Sequence, residues 1–253
     1  MTNKSNSFIE NKTQLIQYFK DGIKKDTDLR IGVEHEKFLF NKTDLKRVDY
    51  NQIKKIFEIL KEKGWEPQLE KDKLIGLQRQ NQKITTEPGF QYELSGAPFK
   101  NIHSVCSENS SHFNELKEVF KSTNITTSSI AYDPFNKLID IPKSPKERYK
   151  IMTTEMPKRG KLSLDMMYKT AGIQINYDYT SEEDFEKKFK IGNYLAPLTI
   201  ALFANSPFYE NKPSGFLSYR GKVWQETNRG GIMPITFENV NFEKYIDHAI
   251  NYP

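Results

Sequence analysis

Between Leu29 and Phe40 the chain alternates in a way that only a strand can use. Gly32, Glu34, Glu36, Phe38 and Phe40 fall on one side of an extended segment, and Ile31, Val33 and Leu39 fall on the other. A strand with two carboxylates on one face needs a sheet to lie in. Three further runs supply the sheet. Leu74 to Arg79, Lys83 to Glu87 and Phe90 to Ser95 read as an antiparallel meander, with turns at Gln80 to Gln82 and at Pro88-Gly89.

Helices fill the intervals. Leu15, Ile16, Phe19 and Ile23 predict an amphipathic helix within Asn11 to Lys25, and Ile53, Ile56, Phe57 and Leu60 predict a second, with Asp49 as N-cap and Gly64 as stop. Apolar positions from Ile102 to Phe120 mark a long third helix. Ser144-Pro145-Lys146-Glu147 has the form of a capping box with proline at the first helical position, so a helix is expected from there to about Met156. Ile173, Ile175, Tyr177 and Tyr179 alternate with Gln174, Asn176 and Asp178 as a strand with a polar face. Ser181 to Asp184 then caps a long helix containing Pro197, and Asn241 caps a last one. Strands pair with their neighbours through tight turns and lack a regular βαβ rhythm. The expected fold is α+β, a mainly antiparallel sheet backed by helices. No Pro/Gly/Ser-rich linker interrupts the 253 residues, so one domain over 1–253 is the simplest reading.

Composition excludes several classes. With 36% hydrophobic residues, 38 basic and 33 acidic side chains, the chain has the make-up of a globular protein, not of a disordered one. Its net charge of +5 comes from lysines scattered along the whole length, without the clustering of a nucleic-acid interface. The longest apolar candidate, Tyr194 to Ala204, is interrupted by Pro197 and too short to span a bilayer. Cys106 is the only cysteine, which rules out an internal disulfide and suits a reducing compartment. The opening MTNKSNSF has no secretory h-region, and the cytoplasm is the expected location.

Neither Gly160-Lys161 nor Gly221-Lys222 has the preceding glycine of a P-loop, and GxGxxG, HExxH, CxxC and GxSxG are absent from the sequence. What remains is acid on strands: Glu34 and Glu36 on the first, Glu87 at a strand end, Glu93 just past Pro88-Gly89. Glu34-x-Glu36 alone reads equally well as a solvent-facing strand face. Adding Glu87 and Glu93, which sits close to Gly89 and Gly96, favours a hard divalent cation with oxygen ligands, magnesium first.

These residues also carry a resemblance. Ile31 to Phe38 (IGVEHEKF), Glu87 to Pro98 (EPGFQYELSGAP), Leu164-Asp165-Met166-Met167, Ala204 to Phe208 (ANSPF), and Gly215 to Arg220 (GFLSYR) with Trp224 four residues on resemble stretches of plant and proteobacterial-type glutamate-cysteine ligases, almost end to end. The resemblance implies a curved antiparallel platform like that of glutamine synthetase, holding Mg²⁺, ATP and glutamate. It implies ATP-dependent joining of the glutamate γ-carboxylate to cysteine through a γ-glutamyl phosphate, the first step of glutathione biosynthesis. It further implies Glu34, Glu36, Glu87 and Glu93 as metal ligands, with Gln174 as a weaker candidate. Arg220 would be the catalytic and nucleotide-phosphate contact, and Met166, Met167, Thr170, Arg220 and Trp224 would line the amino-acid site.

Plainer readings stand beside these: Met166-Met167 and Trp224 as core, Arg220 as a surface arginine, His35 and Lys37 as structural residues on the opposite strand face. Members of the family continue beyond the position of Pro253, so the domain is expected to be incomplete at its C-terminus. The rival functions are a related carboxylate-amine ligase with another amine substrate, or an inactive truncated remnant. Neither nucleic acid nor membrane is an expected partner.

Overall fold

The computed structural model describes residues 8–158, 160–227 and 232–251. In chain order its main elements are α1 (Lys12–Asp21), β1 (Ile31–Asn41), α2 (Tyr50–Lys61), β2 (Glu66–Glu70), β3 (Lys73–Arg79), β4 (Gln82–Thr86), β5 (Tyr92–Ser95), α3 (Ile102–Lys121) and β6 (Ile125–Ser128). These are followed by α4 (Glu147–Glu155), α5 (Ser163–Lys169), β7 (Ile173–Tyr177), α6 (Glu182–Leu202), a short β8–β9 hairpin (Phe208–Tyr209, Lys212–Pro213), α7 (Tyr219–Gln225) and α8 (Phe242–Ile250).

The chain divides into two compact units. The larger takes in Ile31–Asn176 and Leu198–Gly231. Its sheet runs β2-β3-β4-β5-β1-β6, with β7 pairing β1 off that path. Each pairing along the path is antiparallel, so the α+β expectation holds. α2 and α3 cover one sheet face. Ile53, Ile56, Phe57 and Leu60 from α2, and Leu116 and Val119 from α3, close on Leu39, Leu77, Ile84, Tyr92 and Leu94, all at most 2% exposed. A cluster of this kind is held chiefly by removal of apolar surface from water.

His35 and Lys37 lie on that covered face. His35 Nδ1 is 2.9 Å from Asn109 Oδ1 on α3. The Lys37 ammonium is buried without a hydrogen-bond partner, and burial pushes its pKa down to about 8.

The smaller unit comprises Met1–Arg30, Tyr177–Pro197 and Ile232–Pro253. Its centre is aromatic: Phe19 lies 5.6 Å from Phe242 and 5.5 Å from Tyr245, and Phe185 lies 5.2 Å from Phe242, ring centre to ring centre. Offset and edge-on rings of this kind add to area burial. Lys12 ties α1 to α8 through Glu243 (2.9 Å) and Asp247. One of the points at which the chain passes from one unit to the other lies inside α6, after Pro197.

Several expected ends moved. α2 begins as the sequence predicts, with Asp49 and Gln52 forming a reciprocal capping box. It ends at Lys61, and Gly64 (φ +85°) closes the turn beyond. The Ser144 capping box does not form. The Ser144 hydroxyl is buried without a partner and its N–H goes to the Pro88 carbonyl (2.8 Å), while Lys146 is extended and α4 starts at Glu147. Phe90 belongs to a turn (φ +58°), so β5 starts at Tyr92. β2, β6 and α5 were not among the expected elements.

Candidate active site

The acidic face of β1 meets acid from two other places. β1 and β5 are in register with Glu36 directly opposite Glu93, and Thr85 of β4 is opposite Glu93 in turn. Glu87 follows β4 in the turn that returns to β5. One carboxylate oxygen from each of Glu36, Glu87 and Glu93 lies within 4.8 Å of the others. Glu34 does not belong to that group: it sits two residues back along β1 and accepts from Asn176 Nδ2 (3.1 Å). Gln174 reaches Glu36 with its side-chain amide at 3.4 Å.

Each of the three carboxylates is held by a donor. The Gly172 N–H gives a 2.8 Å bond to Glu36, the Ser95 hydroxyl a 2.6 Å bond to Glu93, and the Tyr149 hydroxyl a 3.0 Å bond to Glu87. Burial, followed by the charge of Glu87, keeps Tyr149 protonated as that donor.

Acid packed this closely cannot all ionise without a counter-charge. Burial and then the charge of Glu87 push the Glu36 carboxyl up to about 7, against the opposing pull of Gly172 and Arg220. Glu93 is raised for the same first reason, opposed by Ser95 and reinforced by Glu87. Three carboxylates crowded in this way form an all-oxygen donor set that suits a hard divalent cation such as Mg²⁺ or Mn²⁺.

The positive charge nearby comes from two directions. Lys146 is buried, donates to the Thr86 carbonyl (2.8 Å) and feels Glu87 and Glu93, although burial lowers its pKa overall. Arg220 projects from α7, whose first turn is capped by Ser218 and whose Arg220 N–H is taken by Ser206 (3.0 Å). Burial weighs against the Arg220 charge and Glu36 favours it. The guanidinium carbon lies 5.6 Å from the Trp224 ring centre, as i,i+4 spacing on a helix requires. Arg220 Nε and Trp224 Nε1 are both buried donors without a partner, so the pair offers hydrogen bonds that a ligand's oxygens could accept. Gly172 makes the approach possible, since a Cβ there would lie 2.9 Å from Arg220 Nη2.

The remaining expected site residues occupy supporting positions. Met167 is enclosed with Ile141 and Tyr168, Met166 packs against that cluster, and the Thr170 hydroxyl turns back to the Met166 carbonyl at 2.6 Å. In this structure they brace the segment that leads to Gly172.

Sequence reasoning passed over Ser95, Tyr149, Lys146 and Gly172. Ser95 could have been found, because it is two residues from Glu93 on the same strand face. The other three reach the site through tertiary packing and carry no local signal.

The model of glutamate-cysteine ligase family 2 (GCS2) matches residues 30–253. Over 246 residues, 96% of this chain, the sequence is 43% identical to glutamate-cysteine ligase A, chloroplastic, of Oryza sativa subsp. japonica. Over the same length it is 44% identical to the chloroplastic glutamate-cysteine ligase of Arabidopsis thaliana and 43% identical to that of Nicotiana tabacum. The aligned region covers 50% of the rice protein and 47% of the other two, so the chain spans about half the length of these relatives. Their names correct one expectation: relatives described as chloroplastic overturn the cytoplasm as the default location. No helix among the described residues is long and apolar enough to cross a membrane.

Proposed function

The chain belongs to the glutamate-cysteine ligase family, and on that premise we propose that it takes part in the ATP-dependent ligation of L-glutamate to L-cysteine, giving γ-glutamylcysteine for glutathione synthesis. The observation that carries this reading is the convergence of Glu36, Glu87 and Glu93 near a half-buried Arg220 whose Nε, like Trp224 Nε1, has no hydrogen-bond partner. Phosphoryl transfer to a carboxylate needs charge neutralisation and fixed donors and requires no protein nucleophile. A cation on the carboxylates would supply the first, and Arg220 and Trp224 offer the second.

In this reading Glu36, Glu87 and Glu93 would hold Mg²⁺, while Gln174 bonds to Glu36 and Glu34 to Asn176. The cation, when bound, neutralises phosphate oxygens of ATP. Arg220 receives the glutamate carboxylate or the phosphoryl group in transfer, a task for which a planar fork of donors is suited. Trp224 lies under that guanidinium and contributes its indole N–H. A γ-carboxylate oxygen of glutamate attacks the γ-phosphorus of ATP and ADP departs. The cysteine amine then attacks the acyl carbon, phosphate leaves with that oxygen, and the amine loses its proton.

The test follows from that oxygen. Glutamate labelled with ¹⁸O in its γ-carboxylate should transfer one label to inorganic phosphate, with ADP formed only when glutamate and cysteine are both present. Phosphate released without label, or ADP formed at the same rate without glutamate, would reject the acyl-phosphate route.

A further inference from the structure

We infer that Arg47 and Gln91 are positioning residues of the carboxylate site, a buried clamp that joins the turn carrying Glu87 to the segment carrying Gly172. The inference rests on reading Glu36, Glu87 and Glu93 as a metal site.

Arg47 lies between the end of β1 at Asn41 and the start of α2, outside the segments that carry the three carboxylates, and its side chain is completely buried, as is that of Asp133 beside it. Nη1 is 3.4 Å from Asp133 Oδ2 and donates to the Tyr168 carbonyl at 3.3 Å, while Nη2 donates to the Gly89 carbonyl. The guanidinium carbon stands 4.5 Å from the Phe38 ring centre. Asp133 in turn accepts from the Phe135 N–H (2.9 Å) and from Asn136 Nδ2 (3.0 Å).

Gln91 joins the same two segments from the other side. Its Oε1 accepts the Gly89 N–H at 2.9 Å, and its Nε2 donates to the carbonyls of Met167 and Thr170, each at 2.9 Å. Gly89 thus has its carbonyl held by Arg47 and its N–H by Gln91. It must be glycine, because a Cβ there would lie 2.7 Å from the Tyr168 carbonyl oxygen.

Glu87 stands two residues before Gly89, and Gly172, which donates to Glu36 and borders Arg220, stands two residues after Thr170. Fixing Gly89 to residues 167–170 therefore fixes Glu87 relative to Glu36. A buried ion pair adds little stability over a well-packed apolar pair of the same size. What the Arg47 fork supplies is geometry: one planar group holds carbonyls on two separate segments at once, which neither an ammonium nor an aliphatic side chain can do.

The experiment measures Mn²⁺ affinity from the electron paramagnetic resonance signal of the free ion, together with melting temperature, on the whole chain. It compares wild type with Arg47→Lys, Gln91→Met, Glu93→Gln and Leu116→Ala, the last a core truncation away from the carboxylates. Arg47→Lys and Gln91→Met should each weaken Mn²⁺ binding about tenfold or more, as loss of outer-sphere support commonly does. Leu116→Ala should melt earlier and bind Mn²⁺ within about twofold of wild type.

Gln91→Met is the gentler change and stands in if Arg47→Lys does not fold. A folded Gln91→Met protein with wild-type affinity would overturn the clamp and leave the metal site standing. Absence of Mn²⁺ binding by wild type, or binding that Glu93→Gln leaves unchanged, would bring down the metal reading and the clamp with it.

Discussion

Glu36 carries the sharpest consequence of its surroundings. Its folded pKa is about 7, above the ordinary carboxyl value. Its contribution to stability is therefore fully present below about pH 4.5 and is lost as pH rises through about 7. The metal-free protein should lose about 1–3 kcal/mol between about pH 5 and pH 8 from this source, and Glu36→Gln should flatten the slope in denaturant titrations. Divalent cations compete with the same proton, so Mn²⁺ affinity should rise across that window; an affinity independent of pH would remove Glu36 from the ligand set. Lys37, on the opposite face of β1, shows the reverse sign. Its ammonium is the penalised form, with a pKa of about 8, so the penalty is complete below that pH and fades as pH climbs toward the ordinary lysine value. Lys37→Met should stabilise the protein at neutral pH by about 1–3 kcal/mol, and a loss of stability would show that the ammonium serves a need not visible in its contacts. At Gly172 the constraint is steric. Gly172→Ala places a Cβ at 2.9 Å from Arg220 Nη2, and if Arg220 receives glutamate as proposed, displacing that guanidinium should weaken glutamate binding by calorimetry about tenfold or more.

At the scale of elements, start signals worked where the cap was free to act and failed where packing claimed it. Asp49 and Gln52 cap α2 reciprocally, and Asp49→Ala should cost about 1 kcal/mol in chemical denaturation. Ser144 has the same sequence credentials, yet its N–H is bound to Pro88 and Lys146 reaches away to Thr86, so α4 begins late, with the Glu147 N–H taken by Glu70 (3.1 Å). The two long-range partners, Pro88 and Thr86, flank Glu87. The same contacts that spoil the helix start therefore brace the site. α2 and α6 differ in another respect. α2 buries Ile53, Ile56, Phe57 and Leu60, whereas no residue of α6 is buried. Amide hydrogens of α6 should exchange well before those of α2; equal protection in the two helices would contradict this difference in support.

For the molecule as a whole, metal binding and folding should be linked. A cation held at about a hundred times its dissociation constant adds about 3 kcal/mol to stability, so Mg²⁺ or Mn²⁺ should raise the melting temperature of wild type and fail to do so in Glu93→Gln. Much of the fold could be read from the chain, because the signals concerned are local. Period two in Leu29 to Phe40 identified β1 and its faces, helical spacing identified α2 and α3, and cap residues found α2, α6 and α8. Polar β2, with Pro67 and no alternation, shows itself only by pairing with β3. The site was legible as a set of residue types and not as an arrangement. Glu34 and Glu36 share a face and look alike in sequence; register decides between them, because Glu93 lies opposite Glu36 and Glu34 lies opposite Ser95. Residue order alone reveals an acidic strand face and a strand-turn-strand unit that carries more acid. Which three carboxylates converge, which donors hold them and how Arg47 grips the Gly89 turn emerge from the packed fold, because most of those contacts join separate segments and no local periodicity encodes the pairing.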